Sequence, residues 1–225
     1  MRGLDHLRRP VMRLRLAVPE ERPEPGPRPE RIGLLGGSFN PPHEGHLYVS
    51  LEALKRLRLD RVWWLVSPQN PLKPVAGMAP FEERLAAARS FARHPRIEVT
   101  DLEARLGTRY TIDTLRCLQM TPGRRWVWLI GADNLAQMPA WRHWRRLFER
   151  CAVAVFERSP YSYAALGGRA AVSFARARVG EERLDELLDL DPPAWAFVRL
   201  RPHPASSTAL RRRDGALDRT RQGER

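Results

Sequence analysis

The stretch GLLGGSFNPPHEGHL, residues 33–47, decides how the rest of the chain is read. It starts as an apolar run, breaks at Gly36 and Gly37, stiffens at Pro41 and Pro42, and then sets His43 and His46 on either side of Gly45 where a helical pattern begins. Glycines let backbone approach a ligand closely, and prolines fix the turn ahead of the helix. At a helix start the exposed N–H groups and the dipole favour an anion, and two imidazoles there can donate hydrogen bonds to phosphate. The glycine spacing does not fit the dinucleotide fingerprint G-x-G-x-x-G, and G-x-x-x-x-G-K-[ST] does not occur. A metal site would need further ligands at consistent spacing, and the sequence offers none. The plainer alternative is that both histidines do no more than cap the helix.

On either side of this stretch strands and helices alternate. Apolar strand patterns occur at RIGLLG (31–36), RVWWLVS (61–67), RIEVTD (96–101), RWVWLIG (125–131), CAVAVFER (151–158) and AFVRL (196–200). Helical patterns lie between them at 43–57, 80–94, 111–120 and 140–150, with a further helical stretch around GEERLDELLDL (180–190). Apolar strands separated by helices predict a parallel sheet covered on both faces, a Rossmann-like, doubly wound α/β fold. The chain of 225 residues suits a single domain. Residues 1–30 end in VPEERPEPGPRPE, where proline alternates with charge and excludes helix and ladder pairing, so a disordered leader is expected there. The folded domain is then expected over 31–213, with a flexible tail at 214–225.

Thirty-nine Lys and Arg against 26 Asp and Glu give a net charge of +13, which favours anionic partners. Lys55 and Lys73 are the only lysines, so an arginine-rich coding bias is the competing explanation. Cys117 and Cys151 form no C-x-x-C pair, which fits a reducing, cytoplasmic compartment. No uncharged apolar run approaches the ~20 residues of a membrane span, so no membrane partner is expected. Neither a monomer nor a homo-oligomer is favoured.

In open parallel sheets ligands sit beyond the carboxyl ends of the strands. The segments there are GGSFNPPHEGH (36–46), SPQNPLKP (67–74), GADN (131–134), ERSPY (157–161) and HPASSTALR (203–211). In the last, Ser206, Ser207 and Thr208 can cap a helix with Arg211 one turn on, so hydroxyls, amides and a guanidinium converge in a way that suits a polyphosphate. An ordinary N-cap before a basic helix is the alternative.

Five ordered motifs resemble a known family. GGSFNPPHEGH is similar to the H-x-G-H signature of the nucleotidyltransferase superfamily, and SSTALR to its S-S-T-x-x-R counterpart. SPQNPLK (67–73), RYTIDTL (109–115) and GADNLAQMPAWRHW (131–144) resemble the bacterial nicotinate-nucleotide adenylyltransferases, and the likeness spans roughly 31–213. The resemblance implies adenylyl transfer from ATP, with Mg²⁺, to nicotinate mononucleotide, a step of NAD biosynthesis. It places His43, His46 and Arg211 in catalysis. Gly36, Gly37, Ser38, Phe39, Asp133, Ser206, Ser207 and Thr208 would hold ATP. Asn70, Lys73, Thr111, Trp141 and Arg158 would hold the mononucleotide, with the Trp141 indole stacked on the pyridine ring, as the attraction of an electron-poor ring to an indole face allows. The chain departs from the family at RSPY (158–161), where Arg-Pro-Gly is usual, and beyond residue 213. Two other functions compete: a pantetheine-phosphate adenylyltransferase with the same H-x-G-H chemistry, and an arginine-rich RNA-binding protein. The second needs aromatics exposed on a basic face, whereas Trp63, Trp64, Trp126 and Trp128 lie inside apolar strands, so no nucleic-acid partner is expected.

Overall fold

The computed structural model describes residues 28–69, 76–119, 121–157 and 162–200. The apolar runs form β1 (Glu30–Gly37), β2 (Arg61–Val66), β3 (Ile97–Thr100), β4 (Arg124–Gly131), β5 (Ala152–Phe156), β6 (Arg178–Val179) and β7 (Trp195–Val198). They alternate with α1 (Glu44–Arg56), α2 (Phe81–Phe91), α3 (Leu102–Leu106), α4 (Thr111–Leu118), α5 (Ala132–Gln137), α6 (Trp144–Arg150), α7 (Ser162–Leu166) and α8 (Arg169–Ser173). Every strand pairing is parallel, in the order β3-β2-β1-β4-β5-β7-β6. This is the doubly wound sheet the periodicity predicts.

Alternation within each strand explains why the strands read as continuous apolar runs. In β4, Val127 and Leu129 face one core while Trp126, Trp128 and Ile130 face the other. The first core is closed by Leu54 of α1, Leu85 of α2 and Leu184, Leu187 and Leu188. Leu115 of α4, Leu135 of α5 and Leu147 and Phe148 of α6 close the second. A strand covered on both faces has no polar side to show. Trp64, Trp126 and Trp128 are buried as expected, and Trp63 is half-buried beneath the Arg124 guanidinium, 5.4 Å from its ring.

Two local expectations differ from what is found. The stretch around 180–190 is a 3-10 helix, Glu181–Glu186, broken at Arg183 (φ −116°, ψ 25°). Tertiary ties override its helical pattern: Glu181 accepts from the Arg199 backbone N–H and pairs with Arg56, while Arg31 donates to the Asp185 carbonyl. The helix read at 140–150 begins only at Trp144, because His143 turns left-handed (φ 51°) at its N-cap. Short elements, β6 among them, carry too few residues for a periodic signal. Residues 1–27 and 201–225 lie outside the described residues, and with them most of the expected leader and all of the expected tail.

Candidate active site

The strand order reverses between β1, which leads outward to β2 and β3, and β4, which leads outward to β5 and β7. A crevice is expected at such a switch point, beyond the strand carboxyl ends. The structure has a cavity of about 160 Å³ there, reached by Gly36, Gly37 and Ser38 from β1 and its loop, by Ser67 after β2, and by Trp128 and Ile130 from β4. A Cβ on Gly36 would sit 3.0 Å from the Trp128 ring, so glycine leaves room for the indole that lines the cavity beside it.

The histidines cap α1 reciprocally. His43 Nδ1 accepts from the Gly45 N–H at 3.0 Å, and His46 Nδ1 accepts from the His43 N–H at 3.2 Å. A backbone amide can only donate, so in each neutral ring the proton must be on Nε2. The helix cap thereby makes both Nε2 atoms donors, and the two rings stack with centroids 3.8 Å apart. The simple capping alternative is therefore compatible with a phosphate-binding one, since Nδ1 serves the cap and Nε2 is the donor. The first turn is also fastened to β2: Trp64 Nε1 donates to Ser50 Oγ at 2.8 Å, and Ser50 Oγ donates to the His46 carbonyl at 2.8 Å. Phe39, grouped with the ATP ligands by resemblance, is only 2% exposed. Its ring lies 4.9 Å from Trp64 and 4.7 Å from His46, so the side chain backs the imidazole. Its backbone is left-handed (φ 46°), an uncommon geometry for a bulky residue that this packing holds in place.

Arg84 of α2 fastens the walls of the crevice. It is 2% exposed and donates to four carbonyls: Ser38 (2.6 Å), Ser67 (2.9 Å), Pro68 (2.8 Å) and Ala79 (2.9 Å). Ser38 and Ser67 both line the cavity, so one guanidinium sets the spacing of the loops after β1 and β2. Burial lowers its pKa, but an arginine stays charged. An ammonium cannot reproduce this fork, so Arg84→Lys is expected to cost about 2 kcal/mol and lower the melting temperature by about 4 to 8 °C. An unchanged thermal melt would show that the four bonds contribute little.

The opposite wall comes from α3, α4 and the segment before α6. Thr111 opens α4, and Trp141 follows the 3-10 turn Met138–Ala140, whose Met138 carbonyl takes the Trp141 N–H at 2.9 Å. Both line the cavity. Trp141 is half-buried, packed against the second core from the cavity side, whereas Trp144 is buried within that core against Phe148 and Phe174. Arg142 lies over the Tyr110 ring at 4.8 Å, and both also line the cavity. Asp133 is half-buried in the first turn of α5, with its neighbour Asn134 on the cavity wall. Glu103 of α3 is the buried acid of this wall, accepting from Thr114 Oγ1 at 3.3 Å. Burial pushes its carboxyl up to about 7, against the pull of that hydroxyl.

Of the residues singled out from the sequence, the structure thus gathers Gly36, Gly37, Ser38, Thr111 and Trp141 around one cavity, with His43 at the N-cap and His46 in the first turn of the helix that follows. Asn70, Lys73, Arg158, Ser206, Ser207, Thr208 and Arg211 lie outside the described residues. Sequence reasoning missed Arg84, Glu103, Tyr110 and Arg142. Tyr110 lies inside the RYTIDTL motif, but Arg84 and Glu103 look like ordinary charges of amphipathic helices. Among the described residues no group of three or more His, Cys, Asp or Glu could hold a metal ion, and no helix is long and apolar enough to cross a membrane.

Residues 34–213 match the cytidylyltransferase-like family model. A relative from Cereibacter sphaeroides, named "Probable nicotinate-nucleotide adenylyltransferase", is 54% identical over 181 residues, covering 80% of this chain and 96% of its own. Relatives of the same name from a Bradyrhizobium species and from Methylorubrum extorquens are 51% and 50% identical, over 83% and 81% of this chain and 97% and 100% of theirs. The fold is shared with a Plasmodium falciparum nicotinic acid mononucleotide adenylyltransferase complexed with NaAD, at a TM-score of 0.61 and 16% identity, over 81% of this chain and 83% of that one. With a doubly wound sheet, a histidine-capped loop at its switch point and half-identical relatives along most of its length, the chain belongs to the cytidylyltransferase-like family, among its nicotinate-nucleotide adenylyltransferases.

Proposed function

We propose that the chain transfers the adenylyl group of ATP to nicotinate mononucleotide, giving nicotinate adenine dinucleotide and pyrophosphate. The observation that carries this reading is a helix cap at His43 and His46 that leaves Nε2 as the donor of each ring, just after the Gly36–Ser38 stretch that lines a cavity shared with Thr111 and Trp141. A phosphate oxygen of the mononucleotide attacks the α-phosphorus of ATP in line, the bond from that phosphorus to the β-phosphate bridging oxygen breaks, and pyrophosphate leaves. An ionised phosphate needs no strong base, so the chain's contribution is positioning and charge stabilisation. His43 and His46 donate to phosphate oxygens whose charge grows as the bond breaks. Gly36 and Gly37 admit the nucleotide close to the backbone beside Ser38, and Asp133 faces the adenylate side. In this reading Ser206, Ser207, Thr208 and Arg211 hold the β,γ end, while Asn70, Lys73 and Arg158 meet the mononucleotide; the resemblance supports these seven roles. Trp141 stacks on the pyridine ring, and Thr111 receives its carboxylate.

The donors of the histidine loop are amide and imidazole N–H groups, which suit phosphate oxygens and not a cation. A divalent ion, Mg²⁺ in this reading, would therefore come with the triphosphate and its waters and would supply charge neutralisation there. The test is direct. The protein is incubated with ATP, Mg²⁺ and either nicotinate or nicotinamide mononucleotide, and pyrophosphate is followed. Release with the nicotinate form is expected; no release with either overturns the reading.

A further inference from the structure

Glu103 is unlike the other acids of the chain. It is 9% exposed, lines the cavity that also holds Thr111, Tyr110 and Trp141, and has no cationic partner among the described residues. Its carboxyl belongs instead to a hydroxyl chain: Thr114 Oγ1 lies 3.3 Å from Glu103 Oε1 and 2.8 Å from Thr108 Oγ1. Several of the charges around it are engaged elsewhere. Arg105 on its own helix bonds Asp101 at 2.9 Å, Asp113 of α4 pairs with Arg116 at 3.1 Å, and Arg61 of β2 pairs with Glu30. In the cavity itself Arg142 covers Tyr110, and Arg109 completes the titratable lining. A buried acid facing a cavity, bonded to the Thr114 hydroxyl and to no cation among the described residues, can carry its proton or lose it without breaking an ion pair.

We propose that Glu103 sets the choice between an acid and an amide on the pyridine ring: protonated, it donates to the ring carboxylate, and ionised, it repels that carboxylate and accepts from a carboxamide N–H. The inference rests on the cavity being the mononucleotide site. It makes selectivity depend on pH in a defined direction. Burial holds the carboxyl neutral up to about pH 7. Acidic conditions therefore favour the acid substrate, and the preference declines as pH rises through that value. The phosphate of the mononucleotide itself titrates near pH ~6, but both substrates share it, so it cancels in their ratio.

The experiment measures kcat/KM for nicotinate and nicotinamide mononucleotide from about pH 5.5 to 8.5, a range that brackets the carboxyl. The acid-to-amide ratio is expected to fall about 10-fold or more, the size of one hydrogen bond to a charged group gained or lost. Glu103→Gln cannot ionise, so its ratio should not vary with pH. Thr114→Val removes the hydroxyl that pulls the carboxyl down, so the fall should move to higher pH; this variant decides the matter if Glu103→Gln does not fold. A ratio that is flat in the wild type, that falls equally in Glu103→Gln, or that moves to lower pH or not at all in Thr114→Val overturns the proposal. If pyrophosphate is released throughout those outcomes, the adenylyl-transfer reading stands; if neither substrate yields any, that reading fails first.

Discussion

Replacing His46 with alanine is expected to lower turnover by about 10²-fold or more, because one donor aimed at developing charge is typically worth about 3 kcal/mol. The structure explains why so large a kinetic loss can accompany a small structural one. Alanine removes the Nε2 donor and one cap bond, the 3.2 Å contact from the His43 N–H, but leaves the His43 cap and the Trp64–Ser50–His46 backbone link in place. A lost cap contact costs about 1 kcal/mol, so the melting temperature should fall by only a few degrees. His43→Ala should lower turnover similarly. The double variant should lose less than the product of the two, since rings stacked at 3.8 Å would meet one phosphate region in the proposed reaction. Steady-state turnover with a thermal melt on each variant is the check. Turnover unchanged in His46→Ala would leave the histidines as helix caps and nothing more.

Trp141→Ala is expected to raise the mononucleotide KM about 5- to 30-fold, from a stacking and cation–π contribution of roughly 1 to 2 kcal/mol. The KM for ATP should change little if the proposed triphosphate contacts are made by the loop after β1, which lies on the other side of the crevice. Trp141→Phe should recover part of the loss, since a smaller aromatic face still carries a quadrupole. The opposing account makes Trp141 a core residue like Trp144. Truncating a buried indole would then cost ~3 to 5 kcal/mol of stability and harm both substrates together. Its half-buried place on the cavity wall favours the first account. Equal loss for both substrates with a large melting shift would overturn the stacking role.

Much of this architecture can be read along the chain, because its signals are local. The apolar runs of β1, β2, β4 and β5 and the amphipathic periods of α1, α2 and α4 each depend on neighbours a few residues apart. So does the histidine cap: the partners at 43, 45 and 46 are near enough in sequence to be read as one helix start. The stretch at 180–190 could not be read this way, since its helical pattern is overruled by bonds from Arg56, Arg199 and Arg31. The same holds for the supporting residues of the site.

By itself the sequence determined the parallel doubly wound sheet and the helix start at His43 that follows the Gly36–Gly37 turn. The tertiary structure alone decided that Arg84 would grip Ser38, 46 positions away in sequence, that Trp141 would line a cavity while Trp144 is buried in the core, and that Glu103 would be a buried acid on the cavity wall with its carboxyl pushed up to about 7. The physical reason is that periodicity and capping act over a turn or two of chain. Desolvation, and the reach of a guanidinium to carbonyls in separate loops, exist only once distant segments have been brought together.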